Sequence, residues 1–108
     1  MGFTTLGFIA RASRLRLKTP VIFYFAGGKV RGNSVNISES GMLAEFDRVP
    51  EVWLTGRILA QIGEWRLSTN VSVIRVDGRM TAFAFREMSD MDRTRIHKVV
   101  EDATEGLS

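Results

Sequence analysis

The sequence predicts a mainly β fold, a small six-stranded antiparallel β-barrel with one C-terminal α-helix. Three observations predict it. From residue 17 to residue 85 short segments alternate apolar and polar side chains, the period of a strand with one buried face. Tight-turn signals separate them at Gly27-Gly28, Gly63-Glu64 and Asp77-Gly78, as in hairpins. After Ser89 the period becomes helical. Many hairpins with one amphipathic helix favour a closed sheet, because closure removes exposed strand edges.

Residues 17–26 form the first expected strand, with Pro20 near its start, where a missing N–H disturbs pairing least. Gly27-Gly28 would turn the chain with positive φ at both positions, and residues 29–37 return. Residues 42–46 make a short third strand, followed by a loop through Pro50 to Gly56. Residues 57–62 and 65–76 pair across Gly63-Glu64, the second long enough to bend, and residues 80–85 follow Asp77-Gly78. Ser89 and Asp92 resemble a capping box and open a helix over 89–105. Met91, Ile96, Val99, Val100 and Ala103 recur at helical spacing, and Gly106 stands where the helix would stop. Residues 1–108 are therefore one domain: a flexible basic segment over 1–16, a barrel over 17–86 and the helix.

At 108 residues the chain can bury one core and not two. It has no cysteine, which removes disulfides and thiolate chemistry and fits a cytoplasmic setting. The longest apolar run, residues 21–26, is far short of the ~20 residues of a membrane span, so no membrane insertion is expected. The N-terminal arginines follow the apolar stretch, whereas a secretory signal places its charge first. Charge is uneven. Residues 1–38 hold six basic residues and no acid, a balance of +6. Residues 39–108 hold nine basic and twelve acidic residues, a balance of −3, and the two give the net +3. A basic third joined to an acidic remainder sets up a local field for an anion.

Catalysis has no candidates. His97 is the only histidine and there is no cysteine, which leaves no convincing zinc site and no Ser–His or Cys–His nucleophile pair to expect. No metal and no cofactor are expected. The chain is expected to bind rather than to react.

The binding candidates cluster in Asn36-Ile37-Ser38-Glu39-Ser40-Gly41. On a regular strand Asn36 and Ser38 would share a face, and Gly41 would allow positive φ and a close approach to the backbone. An amide and a hydroxyl together suit the edge of a purine. The same residues also suit an Asx/Ser turn that simply ends a strand. Upstream stand Arg11, Arg14 and Arg16.

With those arginines, the arrangement resembles the PilZ family, bacterial domains that bind the second messenger cyclic di-GMP. That family carries an Arg-x-x-x-Arg motif before the first strand and an Asp/Asn-x-Ser-x-x-Gly motif further on. Residues 36–41 match the second motif in full. In the first, Arg14 takes the second place and Arg11 stands one position late, residue 10 being Ala10. A glycine common before the phenylalanine of the last strand falls near Ala82. The resemblance implies the barrel-and-helix fold, cyclic di-GMP as ligand, and Arg11, Arg14, Asn36, Ser38 and Gly41 as its binding residues. Arg16 and Ser40 are further candidates. Arginine suits the role because its planar fork takes guanine O6 and N7 or phosphate oxygens in pairs. An arginine segment ahead of the strand could fold over the ligand as it binds.

Under the resemblance, the chain is a cyclic di-GMP receptor that relays the signal to an unidentified protein partner. One alternative is a PilZ-like protein–protein adaptor that no longer holds the ligand. Another is a small barrel of OB type binding single-stranded nucleic acid, with Lys29, Arg31, Tyr24, Trp53 and Trp65 as a stacking groove. The acidic remainder would repel a long polyanion, so no long nucleic acid is expected.

Overall fold

The computed structural model describes residues 14–106, with side chains through Asp102. Among the described residues seven strands and one helix follow in order: β1 (Leu15–Arg16), β2 (Pro20–Phe25), β3 (Gly28–Ile37), β4 (Gly41–Phe46), β5 (Thr55–Ile62), β6 (Trp65–Asp77), β7 (Met80–Arg86) and α1 (Asp90–Gly106). All pairings are antiparallel, in the order β1-β3-β2-β5-β6-β7-β4. Strand β4 also pairs with β3, which closes a six-stranded barrel and leaves β1 as an extra strand on its rim.

That extra strand is the main addition to the expected architecture. Where one strand was expected over 17–26, the chain pairs at 15–16, loosens at Leu17-Lys18-Thr19 and pairs again from Pro20. Ser34, 1% exposed, holds the loosened stretch. Its Oγ accepts a hydrogen bond from the Thr19 amide at 3.1 Å and donates to the Leu17 carbonyl. A buried hydroxyl thus satisfies backbone groups that a continuous ladder would have paired. The first hairpin turn also lies one residue earlier than expected, at Ala26-Gly27 with Phe25 paired to Gly28. Only Gly28, with φ 144°, takes the conformation that demands glycine there.

Inward residues follow the pleat. Phe23, Phe46 and Phe83 meet at the centre, with ring centroids 5.0 Å apart for Phe23–Phe83 and 5.9 Å for Phe46–Phe83. Ile58, Leu67, Val71 and Val73 surround them, all buried. Each such side chain contributes roughly 1.5–3 kcal/mol by leaving water. Helix α1 begins on a Ser89 cap, whose Oγ accepts from the Asp92 amide at 3.1 Å. It packs on the barrel through Ile96 and Val100, with Val99 partly buried. Met91 departs from the expected stripe and is exposed, because five residues before Ile96 is about 140° around the helix. Ala103 lies outside the residues whose side chains are described. Among the described residues no helix is long and apolar enough to cross a membrane.

Candidate functional site

Two β-bulges decide where the site lies. In β3 the register against β4 shifts between Ser34 and Asn36, leaving Val35 as the extra residue. Val30 and Ser34 point inward before the bulge and Ile37 after it. Without the extra residue Asn36 would face the core; with it, Asn36 faces out. In β6 the register against β7 shifts between Val73 and Arg75, with Ile74 extra. Leu67, Thr69, Val71 and Val73 point inward, Arg75 is exposed, and Val76 is again partly buried. Each bulge therefore turns one polar side chain onto the outer surface.

Between the bulges runs a cross-strand row of Cα partners: Arg75 (β6), Ala82 (β7), Leu43 (β4), Asn36 (β3) and Arg16 (β1). At about 4.8 Å per strand, Arg75 and Asn36 stand roughly 14 Å apart. The next row is Ser72, Ala84 and Gly41. The floor is thus short and apolar, and the polar groups stand at its sides. Arg14 closes the near wall by donating from Nη1 to Asn36 Oδ1 at 2.9 Å. Over the floor of Leu43, Ala82, Ala84 and Gly41 lies a groove of about 640 Å³, with Arg14, Asn36 and Ser40 on one side and Arg75 with Ile74 on the other. Two arginines and no acid line it, so its field suits an anion.

The structure separates the candidates from the sequence. Arg14, Asn36, Ser40 and Gly41 line the groove. Arg16, opposite Asn36 in the register, shares the outward face with it. Ser38 does not share a face with Asn36, because β3 ends at Ile37 and the chain turns. Ser38 is 1% exposed. Its amide donates to the Gly41 carbonyl at 2.9 Å, and its Oγ accepts from the Ser40 amide at 3.3 Å. The Ser38 side chain therefore shapes the turn from beneath.

Gly41 does not take positive φ. Its need for glycine comes from β7, since a Cβ there would lie 2.2 Å from the Phe83 carbonyl oxygen. Arg11 lies outside the described residues. Arg75 was absent from the sequence candidates. The signal for it was the adjacent apolar pair Val73-Ile74, where strict alternation slips by one residue.

A further contact ties the helix to this turn. His97 Nδ1 lies 2.5 Å from Glu39 Oε2, and its Nε2 lies 3.5 Å from Glu101. The hydrogen bond and charge of Glu39 raise the imidazole pKa above its ordinary 6.5, with Glu101 adding to the effect.

The aromatic residues of a nucleic-acid groove are not gathered together. The Trp53 amide bonds the Val73 carbonyl at 2.7 Å, while Trp65 starts β6 eight residues earlier, about 26 Å away along the strand. Lys29 lies over Tyr24 at 5.9 Å and Arg95 over Trp65 at 5.6 Å.

The sequence matches the PilZ domain over residues 9–102. The chain belongs to the PilZ domain family. Solved structures with similar folds include the inhibitor of motility MotI/DgrA of Bacillus subtilis, with a TM-score of 0.78 at 16% identity, covering 89% of this chain and 51% of that one. YcgR of Escherichia coli in complex with c-di-GMP gives a TM-score of 0.78 at 15% identity, covering 90% and 46%. This PilZ chain therefore spans about half the length of those two proteins. The isolated PilZ domain of YcgR with c-di-GMP gives 0.73 at 14% identity, covering 90% and 92%. The comparison with curated protein sequences gave no match.

Proposed function

We propose that this PilZ domain binds cyclic di-GMP in the groove between the two bulges and passes the signal to a protein partner. The observation that carries the reading is the 2.9 Å bond from Arg14 to Asn36. It joins Arg14 to the Asn-x-Ser-x-x-Gly turn, so that Arg14, Asn36 and Ser40 stand on one wall of one groove.

Cyclic di-GMP brings two phosphates and two guanines. Arg14 and Arg75 present guanidinium forks that can take guanine O6 and N7 in a pair or hold phosphate oxygens. Asn36 offers an amide donor and acceptor, and Ser40 a hydroxyl. The low floor of Ala82, Ala84 and Gly41 leaves room for a flat base to lie against the sheet. Arg11, one residue closer to Arg14 than the family pattern, would add its charge to the attraction for the ligand's phosphates. Support also comes from the YcgR PilZ domain, solved with c-di-GMP on a similar fold.

Calorimetric titration with cyclic di-GMP tests the reading, with GMP as the comparison. Saturable binding by the intact chain, weakened roughly ten- to a hundredfold in Arg14→Ala, is expected. A flat titration at high ligand would leave a PilZ-like adaptor whose turn has outlived its ligand.

A further inference from the structure

Away from the ligand groove, a second row of Cα partners crosses five strands of the outer surface: Lys29 (β3), Tyr24 (β2), Arg57 (β5), Asn70 (β6) and Arg86 (β7). Three of the five are cations, and Lys29 is separated from Arg57, and Arg57 from Arg86, by one neutral side chain. Neither arginine is held by an acid. Arg57 donates from Nε to Ser68 Oγ and from Nη1 to Asn70 Oδ1, both at 2.8 Å. Arg86 donates from Nε to Ser72 Oγ at 2.9 Å. Among the described residues the ion pairs are those of Arg79 and His97, so no carboxylate neutralises Lys29, Arg57 or Arg86.

Hydroxyl and amide oxygens fix the direction of a guanidinium without cancelling its charge. Side chains arranged so have already lost much of the freedom that a binding event would cost them. Both arginines line an open groove of about 800 Å³ together with Tyr24, Thr55 and Glu87. Glu87 closes the far end, where its Oε1 accepts from Asn70 Nδ2 at 3.5 Å.

We infer that this row is a docking surface for an acidic segment of a protein partner, its carboxylates gripped by Arg57 and Arg86. Carboxylate and guanidinium match as two parallel hydrogen bonds. The spacing of about 9.6 Å from Lys29 to Arg57, and again to Arg86, follows from two strand steps. A segment in the polyproline II conformation, with three residues per turn, meets that spacing with acids three residues apart on one side, about 9.3 Å from one to the next. Single-stranded nucleic acid fits less well, because it needs open aromatic faces. Tyr24 is the one aromatic in the row, and Lys29 lies over its ring. This surface does not depend on cyclic di-GMP binding: it shares no charged residue with the ligand groove.

The test is fluorescence anisotropy of a labelled peptide with glutamate at every third position among serines, titrated with the intact chain at physiological salt. A glutamine–serine peptide and a labelled oligothymidylate are run beside it. The glutamate peptide should bind and the glutamine peptide should not. Arg57→Ala with Arg86→Ala should weaken binding about tenfold, a difference set by lost charge-assisted pairs. Arg48→Ala and Lys98→Ala remove the same charge from the 47–54 loop and from α1, and should leave affinity unchanged. Because Arg57 and Arg86 are exposed, the double variant should keep its melting temperature. Amide shifts on adding peptide should centre on residues 24, 57, 70 and 86. The inference is overturned by no binding of the glutamate peptide, by tighter binding of oligothymidylate, or by equal losses in the control variants.

Discussion

His97 and Glu39 are joined at 2.5 Å across 58 positions of sequence. Glu39 is the fourth residue of the Asn36-to-Gly41 motif, and His97 is in the second turn of α1. The helix therefore touches the Asn36-to-Gly41 turn through a titratable pair, and the buried Ile96 beside it fixes where His97 stands.

This pair sets a pH dependence. The folded imidazole has a raised pKa, so the protonated form is favoured by folding. The stabilisation is fully present below the unfolded value of 6.5 and is lost as pH rises through the higher folded value. Glu39→Gln should bring the His97 titration, followed by NMR, back toward 6.5, with Glu101 retaining a smaller part. Wild-type and Glu39→Gln melting temperatures should differ at acidic pH and converge at alkaline pH. A gap that widens with rising pH would contradict the pairing.

Helix docking rests on few apolar side chains, so each should matter. Ile96 is 1% exposed against the barrel, and Ile96→Ala should cost about 2–5 kcal/mol of stability. Met91→Ala should cost little, since Met91 is 65% exposed. Chemical denaturation of the two variants checks the contrast.

Ser38 and Gly41 should behave as scaffold. Removing the Ser38 hydroxyl takes away a buried partner of the Ser40 amide, at a cost of about 1–3 kcal/mol. Gly41→Ala would force β4 and β7 apart at Phe83. Both variants should melt earlier. Cyclic di-GMP affinity per folded molecule should change far less for Ser38→Ala than for Asn36→Ala, measured by calorimetry below the melting range.

The barrel was legible because alternation and turns repeat along the chain, and each inward phenylalanine agrees with its neighbours. The motif was legible as a motif but not as geometry. Period-two reasoning placed Asn36 and Ser38 on one face, but β3 ends at Ile37 and the chain turns before Ser38, while the bulge at Val35 is what turned Asn36 outward. The same device hid Arg75. A bulge adds one residue on one strand only, so its presence depends on the partner strand's register, which a single strand's pattern does not contain. Two-residue β1 was hidden for a related reason. Its pairing leans on Ile37 and Asn36 of β3, far along the chain, and on Ser34 bonding the stretch that follows.

Whether both walls of the groove hold the ligand turns on Arg75, which stands across the groove floor from Asn36. If both walls grip cyclic di-GMP, Arg14 and Arg75 each make charge-assisted hydrogen bonds worth about 1.5–3 kcal/mol. Arg14→Ala and Arg75→Ala should then each weaken binding by roughly one to two orders of magnitude. Lysine should rescue either position only in part, since it keeps charge and loses the fork. Arg16, beside Asn36 on the outward face, should show an intermediate loss. Binding should fall with added salt yet persist at physiological strength, because base contacts supplement the phosphate attraction. Were Arg75→Ala silent while Arg14→Ala abolished binding, the ligand would sit on the β1–β3 wall alone. The β6 bulge would then serve only to bend the long strand around the barrel.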